Sequence, residues 1–202
     1  MGCDIHTYVE VKRNVNNIEK WATADYYRKN RYYIDYPEEE KQYEVVHIYD
    51  DRNYGLFSIL AGVRNYSDNE PISQPKGLPE DCCDEIRKES DYYGIDGHSH
   101  SWFTLKELKD YANNHRTIKQ SGLISQQQAD NLDNNNIKPD SWCQGASPSL
   151  NMVYREWEDE FSGLDEIIKR LTQRLKDELW LYDDERVNEF SEKIRLVFWF
   201  DN

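Results

Sequence analysis

Cys3-Asp4-Ile5-His6-Thr7-Tyr8-Val9-Glu10-Val11 alternates: Cys3, Ile5, Thr7, Val9 and Val11 fall on one side of an extended chain, and Asp4, His6, Tyr8 and Glu10 on the other. Successive side chains of a strand point to opposite faces of a sheet, so this period of two predicts a β-strand with one buried side. The other end of the chain, Ile194 to Asp201, is dense in Phe and Trp and predicts a second strand, central or near-central. Strands at both ends with helical signals between them give the fold class. It is α+β, one domain over residues 1–202, with an antiparallel or mixed sheet that includes the N- and C-terminal strands and is covered by helices.

Working inward, Asn14 to Asn17 offer turn chemistry, and Trp21 to Tyr27 can return as a partner strand. Residues 28–42 read as irregular, and Tyr43 to Tyr49 as a strand. The run Leu56 to Val63 predicts a short buried helix. Glu70 to Pro79, with three prolines and a glycine, predicts an ordered loop. Pro79 suits the first turn of a helix reaching about Glu89. Thr104 with Glu107 forms a capping box, starting a helix at Leu105. A further short helix is expected over Gln126 to Leu132, followed by a polar connection from Asn134 to Ser147. Leu150, Val153, Trp157 and Phe161 share a stripe at helical spacing, and Leu164, Ile168, Leu171, Leu175 and Leu179 continue it in a second helix capped by Ser162.

With 202 residues the chain is long enough for one core, and 6 Trp, 15 Tyr and 6 Phe supply large buried surfaces despite a hydrophobic fraction of 38%. The net charge of -14 is spread along the chain. It excludes a nonspecific grip on nucleic acid or on an anionic membrane surface, both of which require surplus Lys and Arg. Mimicry of a polyanion, to occupy a DNA-binding protein, is one functional reading of this acidity; a solvated, soluble surface is the simpler one. Cys3, Cys82, Cys83 and Cys143 form no CxxC pair, and no signal peptide opens the sequence, which places the chain in a reducing cytoplasm. No apolar stretch approaches the ~20 residues that span a bilayer. The Met-Gly-Cys start is not an acylation site, because position 6 is His6 rather than Ser or Thr.

The chemistry concentrates in two short segments, Asp4-Ile5-His6 and Asp96-Gly97-His98-Ser99-His100. In an extended loop His98 and His100 would project the same way, with α-carbons about 6.6 Å apart, and could hold one metal ion. Asp4 and His6 bear the same relation to each other. Imidazole and carboxylate together suit a divalent transition metal, Zn, Mn, Fe or Ni. In this reading Asp4, His6, His98 and His100 are ligands and Asp96 is the general base or orients a ligand. The bland reading has the same histidines hydrogen-bonded to carboxylates and backbone, fixing a polar loop. Without metal, Ser99, Ser101 and Thr104 at a helix N-terminus, with Arg64, Lys76 and His98, could form a phosphate pocket, with Tyr92, Tyr93 or Trp102 stacking on a base. Cys3 lies on the apolar face and reads as a structural thiol rather than a nucleophile. His47 and His115 carry no signal beyond a strand pattern and a helix end.

Met1-Gly2-Cys3-Asp4-Ile5-His6, Phe57 to Asn65, and Gly94-Ile95-Asp96-Gly97-His98-Ser99-His100-Ser101 together resemble a family of hypothetical proteins from bacteriophages and bacterial prophages. The likeness covers the N-terminus and the middle of the chain and carries no catalytic roles. It implies an accessory protein acting in the host cytoplasm on metabolism or defence, where nucleotide signals are frequent targets. The use of 16 Asn against 6 Ala fits an AT-rich genome. The expected function is therefore a metal-dependent hydrolase of a phosphorylated or nucleotide-like small molecule. The alternatives are a protein that sequesters a nucleotide without turnover and an acidic inhibitor of a host enzyme.

Overall fold

β1 (Asp4–Val15) turns through Asn16-Asn17 into β2 (Ile18–Thr23), and both turn residues have positive φ, 54° and 63°. Asparagine tolerates that left-handed backbone, which matches the twist of a two-residue hairpin. β5 (His98–Thr104) and β8 (Ile194–Asp201) complete a four-stranded sheet in the order β2-β1-β8-β5, with every pair antiparallel. The two terminal strands are thus neighbours, and the aromatic C-terminal segment is a central strand. The fold is α+β with an antiparallel sheet that holds both terminal strands.

The computed structural model describes residues 2–38, 41–144 and 151–202. They cluster into two units: Met1–Arg52, Pro75–Asp110 and Asp165–Asn202 in the first, and Asn53–Gln74 with Tyr111–Leu164 in the second. In the first unit Ile5, Val9 and Val11 are buried as the alternation predicts, but Tyr8 and Glu10 on the opposite row are buried too. The expected single buried side is corrected by α2 (Asp84–Tyr93), whose Ile86 packs with Cys82 against Tyr8, Val197 and Trp199. This helix starts at Asp84 rather than Pro79; the Pro79 carbonyl instead accepts a turn hydrogen bond from the Cys82 N–H. α5 (Asp165–Leu179) packs on β8 and β1, with Ile167, Leu171 and Leu175 buried along one stripe. α6 (Asp184–Glu189) follows, and β3 (Tyr26–Lys29) pairs with β4 (Tyr43–Val46) as a separate ribbon.

In the second unit α1 (Tyr54–Ala61) is the expected buried helix, capped by the Asn53 side chain and ended by Gly62 at φ 68°. α4 (Gln126–Asn135) begins with a Ser125–Gln128 capping box. The helix expected over Val153, Trp157 and Phe161 is instead β7 (Met152–Glu160), antiparallel to β6 (Thr117–Ser125); Leu150 lies outside the described residues. α3 (Leu105–Asn114), whose residues up to Asp110 belong to the first unit, starts where the Thr104–Glu107 box places it. Among the described residues no helix is long and apolar enough to cross a membrane.

Candidate functional site

The register of β8 against its two neighbours decides which histidines can meet. On β1, His6 is paired with Trp199 and Asp4 with Asp201. On β5, His98 is paired with Phe200 and Ser101 with Phe198, so three steps along β5 match two along β8. The extra residue is a β-bulge, and Ser99 within it has φ 53°. A bulge reverses the alternation of the strand that carries it. His98 therefore stacks with Phe200 and His100 with Trp199, with ring centroids 6.1 and 5.4 Å apart, and these two β8 side chains lie on opposite faces. The expectation that His98 and His100 project the same way fails for this reason.

Each expected ligand has a partner of its own. His98 bonds through Nδ1 to the Ser99 hydroxyl (3.0 Å) and through Nε2 to the Asn202 amide (3.2 Å). His100 Nε2 meets the Ser90 hydroxyl at 2.9 Å. Both oxygens of Asp4 accept from the Arg52 guanidinium, at 2.5 and 2.7 Å, which holds the carboxyl below its usual range. Asp96 is exposed in the turn between α2 and β5. Among the described residues no group of three or more His, Cys, Asp or Glu is disposed to hold a metal ion.

The groups expected to form a phosphate pocket also have partners within the chain. Glu107 Oε2 accepts from the Thr104 N–H and hydroxyl, and Glu107 Oε1 pairs with Lys76 at 2.9 Å, so a carboxylate of the chain occupies the anion position at the start of α3. Ser101 is fully buried, its Oγ accepting from the Lys76 N–H, and Ser99 is engaged by His98. Arg64 belongs to the second unit, where it meets the Tyr66 hydroxyl and the Tyr54 ring. Cys3 is fully buried, as its place on the apolar row predicts.

The structure brings together a different set, still built on His6. The Tyr93 hydroxyl, from the end of α2, lies 3.0 Å from His6 Nδ1, and Asp201 Oδ2 lies 3.3 Å from His6 Nε2, off hydrogen-bond alignment. Burial pushes the His6 imidazole below its ordinary value, with Asp201 pulling it back up, so it is neutral near pH 7. With Tyr93 donating to Nδ1, the remaining ring proton sits on Nε2, facing the carboxylate. Burial, reinforced by Asp201 and Glu89, pushes the Tyr93 phenol up to about 12. His100 is likewise lowered, first by burial and then by His98.

Tyr93 also lines a cavity of about 520 Å³, together with Tyr8, Tyr27, Tyr43, Tyr92 and His47. His47 is fixed by a 2.8 Å bond from Nδ1 to the Thr7 carbonyl, which makes that nitrogen its donor, and its ring meets Tyr8 edge-on at 5.2 Å. Arg28 and Lys41 at the cavity are each paired, with Glu44 and Glu89, and Asp50 adds a third carboxylate. The sequence gives no sign of Asp201 or His47 as site residues: Asp201 is 195 positions from His6, and His47 sits in an ordinary strand pattern. The one available signal is the pairing of terminal strands, which sets Asp201 two residues along β8 from Trp199, the partner of His6. No family model matches the chain, and neither does any curated protein or solved structure.

Proposed function

We propose that the first unit is a cytoplasmic, metal-independent hydrolase of a nucleoside-like small molecule, working at the tyrosine-walled cavity. One observation carries this reading: Tyr93, a residue of the cavity lining, has its hydroxyl bonded to His6 in the series Asp201–His6–Tyr93. A water in the cavity would give its proton to the Tyr93 oxygen as the Tyr93 proton passes to His6 Nδ1. The Asp201 carboxylate would stabilise the imidazolium that forms. The protein itself supplies the base, so the metal expected at Asp4, His6, His98 and His100 is not needed for this step. Tyrosine walls suit a ring-bearing ligand with hydroxyl groups. The paired cations and added carboxylate oppose a phosphate, which moves the substrate class from nucleotide to nucleoside. Four free cysteines support the cytoplasmic setting.

A thermal-shift panel of nucleosides and nucleotides, followed by mass analysis of the ligand that stabilises the protein, tests the reading. Turnover unaffected by EDTA is expected, with a drop of about 10²–10⁴-fold in Tyr93→Phe and His6→Gln while ligand stabilisation is retained. Because His6 must be neutral, activity should rise through a pKa below 6.5 and level off above it. A ligand recovered intact from the wild-type protein would establish sequestration instead of catalysis. Loss of turnover on chelation would return the metal to the mechanism.

A further inference from the structure

At the other end of the same sheet face, four residues along β8 from Trp199, Arg195 is 2% exposed. Its Nε donates to Glu10 Oε2 at 2.6 Å and its Nη1 to Asp81 Oδ1 at 2.8 Å. The other oxygen of Glu10 accepts the Cys83 N–H at 2.7 Å, so both oxygens of Glu10 are engaged. Trp21 and Trp102 flank the guanidinium, with ring centroids 4.0 and 5.3 Å from its central carbon. Lys12 stands 5.2 Å from the Trp21 ring, and Lys76 stands 4.3 Å from the Trp102 ring. Indoles and cations therefore alternate along one wall of an open cleft of about 950 Å³, which all five of these side chains line.

The Nη2 atom of Arg195 is buried without a hydrogen-bond partner among the described residues. A buried donor left unsatisfied is costly, and native proteins rarely keep one without a reason. Glu10 and Asp81 engage Nε and Nη1, which leaves Nη2 open to a further acceptor.

We propose that this cleft binds a small monocarboxylate with an apolar body. The carboxylate would accept from Arg195 Nη2 and neutralise Lys12, while the apolar body lies along the indole wall. A single charge suits the cleft better than a double one. Asp81, Glu107 and Glu192 already pair with Arg195, Lys76 and Lys106, which leaves Lys12 as the attracting cation, and Glu80 and Asp110 repel a dianion such as phosphate more than a monoanion. The site is separate from the Tyr93 cavity and does not rest on the hydrolase reading.

The test is a titration of the full chain with sodium benzoate, followed by tryptophan fluorescence and by the indole N–H signals of Trp21 and Trp102. Inorganic phosphate and benzyl alcohol are the comparison ligands. Saturable benzoate binding is expected, at least tenfold tighter than either comparison ligand and about tenfold weaker in Lys12→Gln, the loss of one exposed charge contact. Arg195→Lys should abolish it; since that change also disturbs the buried Glu10 pair, Lys12→Gln carries the test if Arg195→Lys does not fold. Absence of saturable benzoate binding, equal binding of benzyl alcohol, preference for phosphate, or full affinity in a folded Lys12→Gln would each overturn the proposal.

Discussion

Asp25 is a carboxyl that water hardly reaches, 9% exposed and held by the Val9 N–H at 3.0 Å and the Thr23 hydroxyl at 3.2 Å. Burial raises its pKa from 3.8 to about 7, against the pull of those hydrogen bonds and of Arg174, while Glu10 adds to the rise. Tyr8 and Tyr27 feel its charge in turn. A raised folded value means that the folded state holds the proton more tightly than the unfolded chain does. The stabilisation is complete below pH 3.8 and is lost as pH climbs to about 7. The shift corresponds to a ceiling of about 4 kcal/mol. Asp25→Asn keeps an acceptor for Val9 and removes the titration. Urea unfolding should find the variant and the wild type alike near pH 4 and the variant more stable at pH 8; a difference constant with pH would rule this out. No sequence pattern marks Asp25, which sits just past β2 between Ala24 and Tyr26. His6, in contrast, is singled out by the Asp4-Ile5-His6 pattern and falls in the candidate site, although its pairing with Tyr93 and Asp201 is not legible in the sequence. Partners supplied by chain folding, such as Tyr93 and Asp201, leave no local trace.

At the scale of elements, two misreadings come from side-chain period, which is ambiguous in β7 and broken in β5. Val153, Trp157 and Phe161 are four apart, and a spacing of four returns a side chain to the same side of a helix and of a strand alike. With one face of β7 largely exposed, the charged residues between them were equally compatible with both. In β5 the period was broken by one residue, which exchanged the faces of the histidines on either side. The glycines and hydroxyls of residues 94–101 signalled special backbone geometry without saying where the extra residue falls. Ser99 carries the cost of the bulge as a non-glycine residue at φ 53°. Ser99→Gly loses the bond to His98, but glycine adopts that conformation without strain, so the variant should match wild-type stability or exceed it by up to about 1 kcal/mol. Ser99→Val should lose about 1–3 kcal/mol, since a β-branched side chain is poorly accommodated there and the bond to His98 is lost. Equal urea midpoints for the two variants would show that the bulge is not held at Ser99.

For the whole molecule, the decisive feature is that the two ends of the chain lie side by side. Asp4 is paired with Asp201 and Val11 with Ile194, so the central contact of the main sheet joins segments separated by nearly the entire sequence. Closing a loop of that size in the unfolded chain costs on the order of 3 kcal/mol more than closing a hairpin. Folds dominated by such distant pairings fold slowly. Joining Asn202 to the N-terminus with a short glycine–serine linker turns β8 and β1 into neighbours in sequence. New ends can be opened between Tyr182, which is 85% exposed, and Asp183, whose side chain still caps α6. Such a circular permutant should keep the near-UV circular dichroism of the parent, because no pairing in the sheet is lost. It should refold faster by on the order of tenfold or more if β1–β8 pairing belongs to the rate-limiting step. An unchanged refolding rate with an intact sheet would place that pairing after the barrier. The nucleus would then lie in the more local contacts of the β1–β2 hairpin and the helices.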